Sequence, residues 1–172
     1  MVPVIAAAIA RGAFQIAVPL LFVAGISDGF DGFLARKLNQ QTRLGSILDP
    51  IADKALLVTV YFALCWAGAL PVWLVTLVIG RDVAILLFAS ALMFMRRVRD
   101  FPPSAWGKIS TFYQMWLAGI VVLRGAWPQW VPHEILIFML AGTVAATLVS
   151  GLDYLRIGWA RLRAVSAARQ GK

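Results

Sequence analysis

The chain has 172 residues, of which 61% are hydrophobic and only 14% are charged. A soluble domain of this size carries nearer a quarter charged residues, so the composition indicates an integral membrane protein. The net charge of +8 comes from basic residues at the ends of apolar runs, where topology signals and anionic-lipid contacts belong. This distribution argues against nucleic-acid binding, and the single Cys65 excludes a disulfide framework or a cysteine metal site.

Six apolar segments follow one another along a chain that we interpret as one domain. The first is too short, at ~1.5 Å rise per residue, to cross a ~30 Å hydrocarbon core. We therefore expect it to be the end of a first helix whose beginning is absent from this chain. The other five predict membrane helices, and the fold class is all-α. The predicted spans are 2–10, 14–36, 44–68, 72–95, 108–124 and 134–155, with a basic tail after the last.

The basic residues sort by side of the membrane. They cluster in the loops at 36–43 and 96–99 and in the C-terminal tail, whereas the alternate connections hold little beyond Arg11 and Arg124. By the positive-inside rule, the basic loops and the tail are cytoplasmic. An aromatic belt is expected at the opposite helix ends, where the tryptophans are Trp66, Trp73, Trp127 and Trp130.

The predicted membrane helices contain four aspartates, at Asp28, Asp31, Asp49 and Asp53. The first two are three residues apart and the last two are four apart, so each pair shares a helical face. Unpaired carboxylates are very costly in low dielectric, and oxygen ligands select hard cations such as Mg²⁺ or Mn²⁺. Intramembrane acids also form proton relays or ion pathways, and they pair with basic residues such as Arg36 or Lys54. Spacing alone leaves a metal site and a transport role open.

Small residues accompany the aspartates. Gly32 and Ala35 lie on the same helical face as the first aspartate, and Gly45 lies one turn before the third. These positions leave room for a bulky ligand to approach the backbone. Arg36 would supply a fixed cation for phosphate.

In this pattern the chain resembles the CDP-alcohol phosphotransferase (CDP-alcohol phosphatidyltransferase) family. The eight fixed positions of the family signature, spread over 26 residues, are all present. They read Asp28-x₂-Asp31-Gly32-x₂-Ala35-Arg36-x₈-Gly45-x₃-Asp49-x₃-Asp53. The resemblance implies a polytopic six-helix membrane bundle with the first helix truncated here. It also implies location in the cytoplasmic (inner) membrane, with the active site facing the cytoplasm.

The resemblance implies a phosphatidyltransferase reaction. The phosphatidyl group of CDP-diacylglycerol passes to the hydroxyl of an acceptor alcohol and CMP is released. Two divalent ions, Mg²⁺ or Mn²⁺, would be held by Asp28, Asp31 and Asp49, with Asp53 completing the site and acting as general base. Further implied partners are membrane lipids and a second copy of the chain. The implied CDP-binding residues are Asp28, Asp31, Gly32, Ala35, Arg36 and Gly45.

Two further stretches bear on the acceptor. Arg81 and Asp82 form a mid-helix charged pair, which is expensive without a role or a partner. Arg81 is expected either to bind the phosphate of an anionic acceptor or to form a structural ion pair. Lys108 shares a helical face with Thr111 and Gln114, and it is either a second phosphate ligand or an interfacial anchor.

Both stretches resemble the bacterial branch that contains phosphatidylglycerophosphate synthases and cardiolipin synthases. We therefore expect glycerol 3-phosphate or phosphatidylglycerol as the acceptor. The alternatives are non-catalytic: a partner subunit that keeps the site without turnover, or a membrane protein that binds or transports cations.

Overall fold

The computed structural model of the protein describes residues 1–37, 43–94 and 104–170, with side chains described at 1–27, 52–88, 90 and 104–159. Within these ranges the chain forms helices and no strand, so the all-α prediction is confirmed for them. A short 3₁₀ helix, Pro128–Trp130, lies between the last two α-helices. The α-helices are α1 Val2–Ala10, α2 Phe14–Lys37, α3 Arg43–Trp66, α4 Val72–Phe94, α5 Ala105–Ala126 and α6 His133–Gln170.

The ends of the helices follow local sequence signals. Gly12 follows α1 and Gly68 follows α3, each with a positive φ, of 73° and 71°, that favours glycine. Ser104 caps the N-terminus of α5, where its hydroxyl oxygen accepts a hydrogen bond of 3.0 Å from the backbone N–H of Gly107. Pro71 stands immediately before α4 and sharpens the turn from α3.

One boundary differs from the prediction. The last span was expected to end at 155 before a basic tail, but α6 continues to Gln170. The residues from 156 to 170 contain no proline, and eight of these fifteen are Ala or Arg, which are among the best helix formers. The basic segment therefore extends the last helix. The other helices begin and end within three residues of the predicted spans.

A compact apolar core lies where α1 and α3 meet. Ile5 and Ile9 of α1 are fully buried, as are Tyr61 and Leu64 of α3. The short first helix thus packs against the longer ones through one side, as its i, i+4 apolar spacing allows. α5 crosses the same core and packs against α2, α3 and α6.

The interface between α5 and α6 is polar, although it is buried. Gln114 donates from Nε2 to the hydroxyl of Ser110 at 3.1 Å, and Ser110 shares a hydrogen bond of 3.3 Å with Thr147. The hydroxyl of Tyr61 donates to the carbonyl of Gln114 at 3.1 Å. These contacts satisfy groups that would otherwise be costly to bury. Small and hydroxyl-bearing residues between helices are typical of helix packing in lipid.

The exposed faces of α4, α5 and α6 carry large apolar side chains. Large exposed side chains include Leu86, Leu87, Phe112, Met115, Trp116, Phe138, Leu148, Leu152 and Leu155. Among the described residues, one stretch, His133–Trp159 of α6, is long and apolar enough to cross a bilayer, and Phe14–Ser27 is a shorter apolar stretch.

Close packing of α5 against α6 leads to a first prediction. A Cβ at Gly142 would overlap the ring of Tyr113, whereas a Cβ at Gly80 would meet nothing within 4 Å. We expect Gly142→Ala to lower the free energy of unfolding by about 1–3 kcal/mol through overpacking. Gly80→Ala is the matched control and should leave it unchanged or slightly higher, because alanine favours helix. Thermal unfolding in detergent measures both, and equal stability of the two variants would contradict the packing described here.

Candidate functional site

A cavity of about 470 Å³ lies between α2, α3 and α5. Asp53 and Lys54 line it from near the middle of α3, and Leu57 and Val60 follow about one and two turns later. Thr111 adds a hydroxyl group from α5. The cavity is therefore charged beside the first turns of its α3 wall and apolar beyond them.

A second cavity of about 670 Å³ continues the first along α2 and α5. The two share four lining residues, Leu21, Gly25, Met115 and Gly119. The rest of the second cavity is lined by apolar side chains such as Phe22 and Trp116. We call the two together the α2–α5 groove. A Cβ built at Gly25 or Gly119 meets nothing within 4 Å, so the absence of a side chain at both positions keeps the groove open.

Of the four aspartates in the predicted site, Asp53 is the one whose side chain belongs to the described residues, and it lines this groove. The side chains of Asp28, Asp31, Gly32, Ala35, Arg36, Gly45 and Asp49 lie outside the described residues, although their backbones belong to α2 and α3 as predicted. No group of three or more His, Cys, Asp or Glu that could hold a metal occurs among the side chains that are described. The metal site and the catalytic role of Asp53 stay predictions.

The mid-helix charges of α4 have partners. The Asp82 carboxylate pairs with Nη1 of Arg81 at 2.6 Å and with Nζ of Lys54 at 2.6 Å. Arg81 also donates from Nη2 to the hydroxyl of Ser150 and lies over the ring of Tyr154, with 5.5 Å from Cζ to the ring centroid. A charged network therefore links α3, α4 and α6. Arg81 forms the expected ion pair, and its binding of an acceptor phosphate stays a prediction.

Burial differs sharply within this network. The side chain of Asp82 is 7% exposed and that of Arg81 is 10% exposed, whereas Lys54 is 41% exposed. The Nε atom of Arg81 is buried without a hydrogen-bond partner among the described residues. Arg81 is thus a largely internal residue, and Lys54 is the member of the network that reaches the α2–α5 groove.

The predicted polar face of α5 divides between three environments. Lys108 is exposed, Thr111 lines the first cavity, and Gln114 is fully buried. Positions three and six residues apart span about 120° of a helix, which is wide enough to reach both the surface and the interior. Lys108 lies on an exposed face of α5 and Arg81 contacts α4 and α6, so joint binding of an acceptor phosphate stays a prediction.

Sequence reasoning missed the partners of Arg81 and the position of the groove. Ser150 lies 69 residues from Arg81 in the chain, and no local pattern connects the two. The one available signal for the groove was Gly25, a small residue three positions before Asp28 in an apolar segment.

Comparison with known proteins agrees with the resemblance in the aspartate pattern. The sequence model of the CDP-alcohol phosphatidyltransferase family matches residues 1–150. A protein of Mycobacterium tuberculosis named "Probable phosphatidylglycerophosphate synthase" is 32% identical over 162 residues, which cover 90% of this chain and 74% of that protein. "Cardiolipin synthase (CMP-forming)" of Rattus norvegicus and of Homo sapiens are each 32% identical over 162 residues. The match covers 92% of this chain and about half of each of those proteins.

The family match extends well beyond the eight signature positions, from α1 through α5 and into the first half of α6. The chain belongs to the CDP-alcohol phosphatidyltransferase family.

Proposed function

We propose that this chain is a membrane-embedded phosphatidyltransferase that moves the phosphatidyl group of CDP-diacylglycerol to glycerol 3-phosphate or phosphatidylglycerol and releases CMP. The observation that carries the proposal is the location of Asp53. This last aspartate of the family pattern lines a cavity that opens into a long apolar groove.

The shape and polarity of the α2–α5 groove suit a lipid donor. Asp53 and Lys54 place charge at one end of the groove, near the middle of α3, and apolar side chains line the remainder along α2 and α5. Small-molecule sites are mostly apolar with a few polar groups that fix orientation. We propose that the acyl chains of CDP-diacylglycerol occupy the apolar part, and that the phosphates lie near Asp53.

The four aspartates would hold divalent cations near this end of the groove. Asp28 and Asp31 follow Gly25 by three and six residues in α2, and Asp49 precedes Asp53 by one turn of α3. Carboxylate oxygens are hard ligands and fit Mg²⁺ or Mn²⁺. When bound, such ions neutralise the charge of the pyrophosphate and help to stabilise the transition state.

The proposed reaction is a displacement at phosphorus. The hydroxyl oxygen of the acceptor forms a new bond to the phosphorus of the phosphatidyl group, its proton passes to the Asp53 carboxylate, and the bond from that phosphorus to the CMP oxygen breaks. CMP leaves with the electron pair of the broken bond. Asp53 lines the cavity from α3 and would meet the acceptor there.

We propose further that the chain is a polytopic bundle in the cytoplasmic membrane, with its site facing the cytoplasm. The apolar outer faces and the buried polar contacts between α5 and α6 support this, because lipid solvates apolar side chains and leaves polar groups to pair inside. The exposed Trp66, Trp73 and Trp130 lie at the helix ends opposite the basic loops. A homodimer stays a prediction.

The acceptor is proposed from the names of the relatives. These are a phosphatidylglycerophosphate synthase and CMP-forming cardiolipin synthases, whose names contain glycerophosphate and cardiolipin. Both reactions use an acceptor that bears a phosphate group. Lys108 is an exposed cation at the start of α5, and Arg81 is the other residue that we assign to this phosphate.

The direct test is release of CMP by the detergent-purified protein from CDP-diacylglycerol with Mg²⁺ or Mn²⁺. We expect release that depends on the metal and on one of the two acceptors. Asp53→Asn should lower kcat by about 10²-fold or more, because the amide cannot accept the proton. Asp153→Asn, the same change in α6 away from both cavities, is the matched control and should retain activity.

Absence of metal-dependent CMP release from the folded wild-type protein would contradict the proposed activity. Equal activity of Asp53→Asn and Asp153→Asn would contradict the role of Asp53 while leaving the transferase assignment in place.

Filling the groove provides a second test. Gly119 lines both cavities and has open space at its Cβ position, so Gly119→Phe should fold and occupy the path of an acyl chain. We expect the KM for CDP-diacylglycerol to rise about tenfold or more and the KM for the acceptor to change little. Gly80→Phe is the control, since Gly80 also has open space but lies outside the groove. An unchanged KM for CDP-diacylglycerol in Gly119→Phe would rule out this groove as the donor site.

A further inference from the structure

We propose that Lys54 binds the lipid-borne phosphate of the substrate, and that Asp82 holds the Lys54 ammonium at the α3–α4 interface until that phosphate arrives. The inference rests on the proposed function, because it places an anionic lipid in the α2–α5 groove. It assigns to Lys54 a role that the aspartate pattern does not contain.

The position of Lys54 is the first reason. It follows Asp53 directly in α3, and both side chains line the first cavity. Among the described residues that line the groove, Lys54 is the one cation. Its side chain is 41% exposed and lines the cavity while its ammonium contacts Asp82. A lysine is a compact positive charge with three donors on a flexible stem, which suits a phosphate that approaches from the side.

The second reason is that Asp82 has two cations. Its carboxylate pairs with Lys54 through one oxygen and with Arg81 through the other, each at 2.6 Å. A carboxylate that is 7% exposed would be destabilised if it lost its only counter-charge. Because Arg81 remains beside it, Asp82 can release Lys54 and stay paired.

Arg81 is held much more firmly than Lys54. Its guanidinium donates to Asp82 and Ser150, and it lies over the ring of Tyr154. Its side chain is also only 10% exposed. Lys54, in contrast, pairs with Asp82 through a side chain that is 41% exposed and that lines the cavity. The geometry therefore distinguishes a fixed cation, Arg81, from a releasable one, Lys54.

This arrangement has a kinetic consequence. The phosphate that Lys54 binds is present in the bound donor and in the transition state, so the contact contributes to both. Removing it should raise KM for the donor and leave kcat largely unchanged. A purely structural bridge between α3 and α4 would instead act through stability.

The test is a double-mutant cycle with Lys54→Met, Asp82→Asn and the combined variant. Lys54→Met should raise the KM for CDP-diacylglycerol about tenfold, with little change in kcat or in the KM for the acceptor. Lys54→Arg keeps the charge and should restore most of the affinity. Asp82→Asn removes the tether, so it should lower thermal stability without raising the donor KM. Lys54→Met should still raise that KM in the Asp82→Asn background.

A structural role alone gives a different result. Lys54→Met and Asp82→Asn would then have equivalent effects, and Lys54→Met would have no further effect in the Asp82→Asn background. That result would overturn the proposal. If Asp82→Asn does not fold, the contrast between Lys54→Met and Lys54→Arg decides: equal donor KM values for the two would overturn it.

A binding measurement separates this proposal from the transferase activity. Binding of CDP-diacylglycerol and of diacylglycerol with the same acyl chains is compared in detergent for the wild type, Lys54→Met and Lys54→Arg. We expect the wild type and Lys54→Arg to prefer the anionic lipid and Lys54→Met to lose about tenfold of that preference.

If the preference for CDP-diacylglycerol over diacylglycerol depends on Lys54 but no CMP is released, the assignment of Lys54 is supported and the proposed reaction is contradicted. If CMP is released but Lys54→Met leaves the preference for CDP-diacylglycerol unchanged, the assignment of Lys54 is overturned and the proposed reaction is retained. No preference in the wild type would overturn the assignment of Lys54 whatever the turnover.

Discussion

The carboxylate of Asp82 joins three helices, and the charged end of the groove depends on it. Asp82 in α4 pairs with Lys54 of α3 and with its neighbour Arg81, which reaches Ser150 of α6. An unpaired carboxylate in such a setting would be strongly destabilising. The pairing therefore links α3, beside Asp53, to α4 and through Arg81 to α6, and Arg81 keeps Asp82 paired when Lys54 is released.

α5 contributes to both the buried polar contacts of the bundle and the groove. One face of α5 contributes Ser110 and Gln114 to the buried polar contacts, and another contributes Met115 and Gly119 to the groove. The helix can serve both because buried hydrogen bonds hold it against α6 while glycine leaves the opposite side open. The same bundle thus combines buried polar contacts between helices with the largely apolar α2–α5 groove, which carries Asp53 and Lys54 at one end.

Most of the fold follows from the sequence because apolar runs and turn residues are local signals. Gly68 and Pro71 end one helix and begin the next, and the helices lie within three residues of the predicted spans except at the end of α6. The end of α6 was predicted too early, at residue 155. A change from apolar to basic composition marks a change of environment, but such a change does not by itself end a helix. The basic segment contains no proline and is more than half Ala and Arg, so the helix continues through it.

The site could be predicted only where a pattern connects residues nearby in the chain. The spacing of the aspartates predicted a role for Asp53, whereas the contacts of Arg81 with α6 join residues that are distant in sequence and that no local pattern connects. Lys108, Thr111 and Gln114 show the same limit, since helical spacing grouped residues that the surrounding helices assign to different environments.

The central claim is that the α2–α5 groove holds the lipid donor with its phosphates toward Asp53. Photo-crosslinking with CDP-diacylglycerol that carries a diazirine on one acyl chain, followed by peptide mapping, tests this claim most directly. We expect labelling of groove residues such as Leu21, Met115 and Gly119, reduced by an excess of unlabelled CDP-diacylglycerol. Labelling confined to outward-facing residues such as Leu86 and Leu152, without competition, would contradict the account.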